Sequence, residues 1–300
     1  MLFRSKDILD IKFAINEDVD FIALSFVRSA SDVHELRKIL DKHQSSIKII
    51  SKIENQEGLD NIHDITKASD VVMVARGDLG IETDLANLPN IQRRIMYSAA
   101  KFGKRSIVAT HLLESMITNP NPTRAEVTDV ANAIYEGADA LMLSGETSIG
   151  SHPLRCIKLI GKIAKQTEKF RTLGYENKLI EDSDWQSLAV LGRDLAHKTG
   201  AAGIIVVTRS GTTARVMANT KPHGKTIFVF TNNIKVYRQM SLYGGVKPFY
   251  IKNISNQKAL LGKINENLKP FLKQKTNRKF VFLSGIHSDK YTDSLQLINL

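Results

Sequence analysis

The sequence predicts a parallel α/β protein in two domains, and three observations carry that prediction. Short apolar runs alternate with stretches of helical period through the first half of the chain. Those runs are continuous rather than alternating, the mark of parallel strands covered by helices on both faces. The charge is also split: residues 1–184 carry a net −3 and residues 185–300 a net +14, which together make the overall +11. Two regions with different surfaces follow, the second attractive to anions. A length of 300 residues suits two domains better than one.

Taken in order, Lys6–Glu17 has helical spacing and leads into strand Phe21–Phe26. Ser31 or Asp32 can cap helix Val33–Lys42, which feeds strand Ile47–Ser51. Leu59–Thr66 reads as one short helix before strand Val71–Ala75. Helix Ile91–Phe102 closes at Gly103 ahead of strand Ser106–Thr110. Helix Arg124–Tyr135 ends at Gly137, strand Ala140–Ser144 follows, and Pro153–Lys169 forms one long helix. Each strand ends in polar residues at its C-terminal tip, which resembles a TIM-type (β/α)₈ barrel in wall and in site placement. Five of the eight strands are expected, so the barrel is incomplete; closure needs three more.

The polar stretch 171–184 has no strong period and is expected to link a barrel-type domain, residues 1–170, to a smaller α/β domain, residues 185–300. In the second domain, helix Trp185–Thr199 and strand Gly203–Thr208 lead through Arg209-Ser210-Gly211-Thr212-Thr213 into helix Ala214–Asn219. Strands are expected at Thr226–Phe230, Val246–Ile251, Lys279–Leu283 and Ser294–Asn299, with helices at Ile234–Leu242 and Gln257–Leu272.

Composition excludes several functions. No apolar run approaches the roughly 18 residues of a membrane span, and the N-terminus lacks an apolar stretch of signal length, so no membrane association and a cytoplasmic location are expected. The single Cys156 forbids an intrachain disulfide and a finger-type zinc site, and reads as packing filler. The basic second domain has dispersed lysines without interleaved aromatics, so nucleic acid is not an expected partner.

The chemistry concentrates at two strand ends. Lys52 and Glu54 are two apart in Ile49–Asn55 and face the same way in extended backbone. The run Val71–Ala75 passes into Arg76-Gly77-Asp78-Leu79-Gly80. Two carboxylates and a lysine at the tips of neighbouring parallel strands suit a divalent metal carrying a phosphorylated ligand. Hard oxygen donors, few in number, point to Mg²⁺ or Mn²⁺ rather than zinc. Arg76 reads as a structural cation paired with a nearby carboxylate, Glu114 and Glu146 as capping or pairing groups, and His111 as loop filler.

These motifs resemble those of the pyruvate kinase family. Ser51-Lys52-Ile53-Glu54-Asn55, Met73–Gly80, Pro122-Thr123-Arg124-Ala125-Glu126, Asp129–Ala133 and Ser144-Gly145-Glu146-Thr147 stand in that family's order and spacing. The resemblance continues through residues 185–300, which are similar to the family's C-terminal domain. It implies glycolytic phosphoryl transfer from phosphoenolpyruvate to ADP, giving pyruvate and ATP. It implies Glu54 and Asp78 as Mg²⁺ ligands and Lys52 as the group that offsets phosphoryl charge. The N–H groups of Gly77 and Asp78 would hold the substrate carboxylate, Thr110 would offer its hydroxyl, and Ser144 would sit on the proton path. Arg124 would lie in a segment meeting a neighbouring subunit of a homo-oligomer, a tetramer in the family. K⁺ is implied too, although the family's K⁺ ligands fall in strands ahead of those matched here. The loop of Thr208, Ser210, Gly211, Thr212 and Thr213 resembles the family's sugar-phosphate effector site and forms a nest of small residues before a helix.

The sequence departs from the family in two places. His111 stands where glutamine is usual, and Ser284-Gly285-Ile286-His287-Ser288-Asp289 is shorter and less glycine-rich than the family's effector loop. A truncated form of limited stand-alone activity is expected, the alternative being a non-catalytic remnant that binds anions or pairs with another chain.

Overall fold

Five strands of the first unit lie side by side in chain order, all parallel, so their C-terminal tips share one edge. The computed structural model describes residues 3–252, 257–272, 278–284 and 294–300. The chain divides into two units, the first ending at Lys178 and the second starting at Leu179. In the first unit, α1 (Ser5–Asn16) precedes β1 (Phe21–Leu24), α2 (Ala30–Lys42) and β2 (Lys48–Ile53). Two short helices, α3 (Gln56–Asp60) and α4 (Ile62–Ala68), precede β3 (Val71–Ala75), α5 (Arg76–Glu82) and α6 (Leu88–Lys101). Then come β4 (Arg105–Ala109), α7 (Arg124–Tyr135), β5 (Ala140–Met142), α8 (Gly145–Ser148) and α9 (Pro153–Thr167).

Burial explains the continuous apolar runs. Every residue of β3 and β4 is buried, whereas β5, at one edge, is only half-buried throughout. One apolar cluster, including Ile49, Ile53, Val72, Val74, Ile95, Val108 and Val130, fills the space between the sheet and its helices. Neither β1 nor β5 has a second strand neighbour among the described residues, so the sheet is open at both edges.

Local chemistry moves several expected boundaries. Helix α2 begins earlier than expected, because the Asp32 carboxylate accepts the N–H groups of Arg28 and Ser29 at 2.9 and 3.1 Å and makes Ser29 the cap. The single helix expected at Leu59–Thr66 is two. Asn61 leaves helical backbone and spends its side-chain amide on the Glu57 and Arg28 carbonyls. Strand β1 stops at Leu24 rather than Phe26, since Phe26 turns into the left-handed region at φ +52°.

The N-terminal ends of the strands are locked by charge. Arg105 and Asp139, both almost wholly buried, pair at 3.2 Å, and Asp139 also accepts the Ser106 N–H at 2.9 Å. Asp70 pairs with Arg37, lies 3.5 Å from Lys48 and accepts the Ile49 N–H at 2.9 Å.

The second unit holds α10 (Asp184–Lys198), β6 (Gly203–Val207), α11 (Thr212–Asn219), β7 (Ile227–Thr231) and α12 (Ile234–Gln239). It continues through β8 (Val246–Tyr250), α13 (Gln257–Leu272), β9 (Lys279–Ser284) and β10 (Ser294–Asn299). The strand order is β10-β9-β6-β7-β8, with β10 alone antiparallel. Its strands feed two cores by alternation: Ile204, Val206, Ile227 and Val229 face one side, Ile205, Phe228 and Phe230 the other. The expected loop Ser284–Asp289 lies, past Ser284, outside the described residues. No helix among the described residues is long and apolar enough to cross a membrane.

Burial works to raise the Asp70 pKa, but Lys48, Arg37 and the Ile49 N–H outweigh it and hold the carboxyl below its ordinary value. A carboxylate with a lowered folded pKa contributes stability above its unfolded pKa and loses it as pH falls through the folded one. Asp70→Asn is therefore expected to cost about 1–3 kcal/mol in urea unfolding at pH 7. The gap from wild type should narrow steadily below about pH 4; a gap of constant size down to pH 2 would contradict the assignment.

Candidate functional site

The shared edge of strand tips carries the residues singled out in the sequence, in the order Lys52 and Glu54, Gly77 and Asp78, Thr110, Ser144, and adds Ser25, which sequence reasoning did not single out. Their side chains form two separately bonded groups. At the tips of β1 and β2, Lys52 Nζ lies 2.5 Å from Glu54 Oε1 and donates to Ser25 Oγ at 3.0 Å. Glu54 is fully buried, and its Oε2 accepts the Phe26 N–H at 2.5 Å. Among the described residues its Oε1 accepts no hydrogen bond and meets the lysine charge alone.

The second group spans the tips of β3, β4 and β5. The Arg76 guanidinium grips both oxygens of Asp129 at 2.7 Å and donates to the Thr110 carbonyl at 2.6 Å from Nη2. It is nine-tenths buried, and its carboxylate partner comes from α7, so the expected structural pairing of Arg76 is found. Thr110 holds φ +67° and His111 φ +53°. A β-branched residue with that φ is strained, and the Arg76 clamp on its carbonyl is what over-determines it. Thr110 lies just past β4 rather than within the expected strand, and its Oγ1 accepts the Gly77 N–H at 2.8 Å while donating to the Ala109 carbonyl at 2.6 Å. The Gly77 N–H is thus engaged by threonine, and a ligand that used it would displace this bond.

Packing does not demand glycine at position 77. A Cβ there would meet nothing closer than 3.7 Å, and the nearest atoms belong to Thr110 and His111. The space glycine leaves opens beside those two side chains. Helix α5 starts at once at Arg76, so Asp78 sits in its first turn, half-buried and without a hydrogen-bond or ion-pair partner among the described residues.

Glu146 joins β4 to β5. Buried, it accepts the Leu113 N–H at 3.1 Å and the Ser144 N–H at 2.8 Å, fixing the backbone that carries Ser144. Glu114 meets His111 at 3.7 Å on the exposed surface. Glu126 caps α7 and also holds Ser115: burial acts to raise its pKa, but bonds from Ser115 and Thr123 bring it below the ordinary range. Glu146 pairs near the strand tips as expected, whereas the roles of Phe26 and Asp129 have no local signature in the sequence, because they act across 28 and 53 residues.

No side-chain hydrogen bond or ion pair among the described residues joins the β2 tip to the β3 tip. Glu54 and Asp78 flank that unbridged step, each with an oxygen that accepts no hydrogen bond. Two carboxylates of this kind fit a hard divalent cation that keeps waters and takes ligand oxygens. They do not make an all-protein cage: among the described residues no three His, Cys, Asp or Glu side chains gather as a metal centre.

Comparison with known proteins decides the family. The family model for the pyruvate kinase barrel domain matches residues 3–157, and that for the pyruvate kinase alpha/beta domain matches residues 186–298. The chain belongs to the pyruvate kinase family. It is 41% identical over 264 residues to a pyruvate kinase of Methanocaldococcus jannaschii, covering 88% of this chain and 59% of that protein. It is 43% identical over 260 residues to a pyruvate kinase of Staphylococcus aureus, covering 85% of this chain and 44% of that one. The chain therefore spans about half the length of the curated relatives it matches.

In the second unit, Gly211 adopts φ +86° before α11, and its N–H donates to Thr208 Oγ1 at 3.0 Å. Ser210 Oγ bonds Thr212 Oγ1 at 3.1 Å and accepts the Thr212 N–H at 3.4 Å. Thr208 and Thr213 are buried, Ser210 exposed.

The Arg76 clamp gives a stability prediction. Arg76→Ala should cost about 3 kcal/mol, the low end for breaking a buried pair because Asp129 is one-third exposed. Arg76→Lys keeps the charge but loses the planar fork, and should still cost about 1–3 kcal/mol. Thermal unfolding measures both; a lysine variant as stable as wild type would show that charge alone suffices.

Proposed function

We propose that the first unit forms one wall of a phosphoenolpyruvate site and takes part in phosphoryl transfer from phosphoenolpyruvate to ADP. The observation that carries this is the buried Glu54, with one oxygen held by backbone and the other facing the Lys52 ammonium alone among the described residues, at a strand tip of a pyruvate kinase family chain. In the reaction the enol C–O–P bridge breaks at phosphorus, a bond forms to the terminal phosphate of ADP, and the enolate takes a proton at its methylene carbon.

Phosphoryl transfer asks a protein mainly to position groups and offset spread negative charge. Lys52 Nζ, held among the described residues by Glu54 and Ser25, is a cation able to turn from its neighbours toward phosphoryl oxygens. Glu54 and Asp78 would hold Mg²⁺ or Mn²⁺, which when bound supplies Lewis-acid neutralisation of carboxylate and phosphoryl oxygens. The space beside Gly77 suits a small carboxylate, with the Asp78 N–H in the first turn of α5 and the Thr110 hydroxyl lining it. The Ser144 hydroxyl, on backbone fixed by Glu146, stands for the proton path.

A second reading, a subunit that pairs with another polypeptide, is favoured by one observation. Both edges of the five-stranded sheet are open among the described residues, and open parallel edges invite strand pairing.

Two experiments test the proposal. In a Mn²⁺ titration followed by electron paramagnetic resonance, Glu54→Ala and Asp78→Ala should each weaken binding about 10-fold or more. Unchanged affinity in both variants would remove the metal assignment. In a pyruvate-forming assay with Lys52→Met as the blank, the 300-residue polypeptide alone should turn over slowly, since positioning both reactants contributes about 7–11 kcal/mol of barrier lowering and one wall positions one reactant. Fast, Lys52-dependent turnover without a partner would exclude the subunit reading.

A further inference from the structure

Phe26 occupies a conformation that its own side chain does not justify. A bulky residue at φ +52° costs about 1–3 kcal/mol. The residue is 44% exposed, so burial of the aromatic offsets little of that cost. The turn does accomplish one thing: it aims the Phe26 N–H into the β1–β2 step, where it donates to Glu54 Oε2 at 2.5 Å.

The rest of the turn is pinned from below by α3 and its end. The Asn61 side-chain amide donates to the Arg28 carbonyl at 2.9 Å. Gly58, at the start of α3, lies so close that a Cβ there would stand 2.5 Å from the Val27 carbonyl oxygen. Glycine is therefore required at 58 by close approach, and the approach holds Val27 and Arg28, the two residues after Phe26. Asn55 in turn accepts the Gly58 N–H at 2.7 Å and so ties the start of α3 to the residue after Glu54. The strained turn and the carboxylate belong to one closed loop of contacts.

We infer that the Phe26 turn is a positioning device for Glu54. By occupying Oε2, the Phe26 N–H fixes the carboxylate and leaves Oε1 alone to face a cation. That cation is Lys52 Nζ in the structure described and, on the function proposed above, a divalent metal when bound. The inference rests on that proposal. Phe26 is a positioning residue that touches neither metal nor substrate; its main-chain N–H acts and its ring is dispensable.

The test is a Mn²⁺ titration by electron paramagnetic resonance on the whole chain, with urea midpoints measured alongside. Phe26→Gly and Phe26→Ala keep the N–H and should bind within about 2–3-fold of wild type, the context scatter of single contacts. Phe26→Pro has no N–H and cannot reach a positive φ, so it should bind about 10–100-fold more weakly, as loss of a partner behind a metal ligand does. Gly58→Ala, which pushes the Val27 carbonyl, should weaken binding in the same direction and carries the test if the proline variant fails to fold. Should Glu54→Ala and Asp78→Ala both match wild type, the metal proposal itself falls and this inference with it; should Glu54→Ala alone match wild type, Glu54 holds no metal and this inference is overturned. Should Glu54→Ala bind weakly while the proline or Gly58→Ala variant binds like wild type, the inference alone is overturned. Loss in the glycine and alanine variants as large as in proline would assign the role to the ring and overturn it too.

Discussion

The first unit depends on the Arg76 guanidinium. Strands end where their hydrogen-bond ladder ends, and the polar residues beyond them have no ladder to hold them. At the β3 and β4 tips the guanidinium replaces it, spending its fork on Asp129 of α7 and on the Thr110 carbonyl. That pair of contacts lets a β-branched residue stay at φ +67°, a state that would relax if left alone. The strain has a product. It turns Thr110 so that its hydroxyl reaches the Gly77 N–H and its Cγ2 walls the space glycine leaves. A planar, five-donor, permanently charged group is the side chain able to serve a carboxylate and a carbonyl from one buried position.

Glu54 shows a different solution to burial. A carboxylate with no exposure is costly unless paired, and its two oxygens are treated unequally. One receives a backbone N–H; the other receives only the charge of Lys52, itself about one-quarter exposed. A lysine ammonium is a compact point charge on a flexible stem, so it can leave without dismantling the backbone around it. The contrast with Asp139 is instructive. That carboxylate, equally buried but at the opposite ends of the strands, is met by one arginine N–H, a backbone N–H and a serine hydroxyl. Of these two buried carboxylates, the one at the N-terminal ends has both oxygens hydrogen-bonded and the one at the C-terminal tips has one.

The parts legible in the sequence are those encoded locally. The continuous apolar runs of β3 and β4 reflect burial on both faces, and the Lys52/Glu54 spacing reflects the two-residue period of a strand. Helix α7 begins where its capping box places it, with Thr123 and Glu126 bonded to each other's backbone. What escaped depended on distant partners. Ser25-Phe26 reads as strand from its composition, and only a carboxylate 28 residues from Phe26 explains why the backbone turns. Asp129 looks like an ordinary helix-surface residue until Arg76, 53 residues earlier, lies against it. The break at Asn61 likewise needs the Arg28 carbonyl as a partner.

The second unit, for all its positive charge, has less unspent polar capacity at the loop that resembles an anion site. A phosphate at a helix start draws on N–H groups that no protein atom has claimed. Before α11, Gly211 gives its N–H to the buried Thr208 hydroxyl, and the Thr212 N–H points at Ser210 Oγ. These side chains act as internal stand-ins for an anion, neutral and weaker than a phosphate, so displacement by one remains open to them. An anion there would have to outcompete two local bonds before gaining the field of the helix. At the tip of β2 in the first unit the competitor is a charge instead: Glu54 Oε1 faces the Lys52 ammonium at 2.5 Å, which a second cation would have to move aside. A mobile ammonium stands beside the buried carboxylate of one unit, whereas in the other the N–H groups before α11 are taken up by neighbouring hydroxyls.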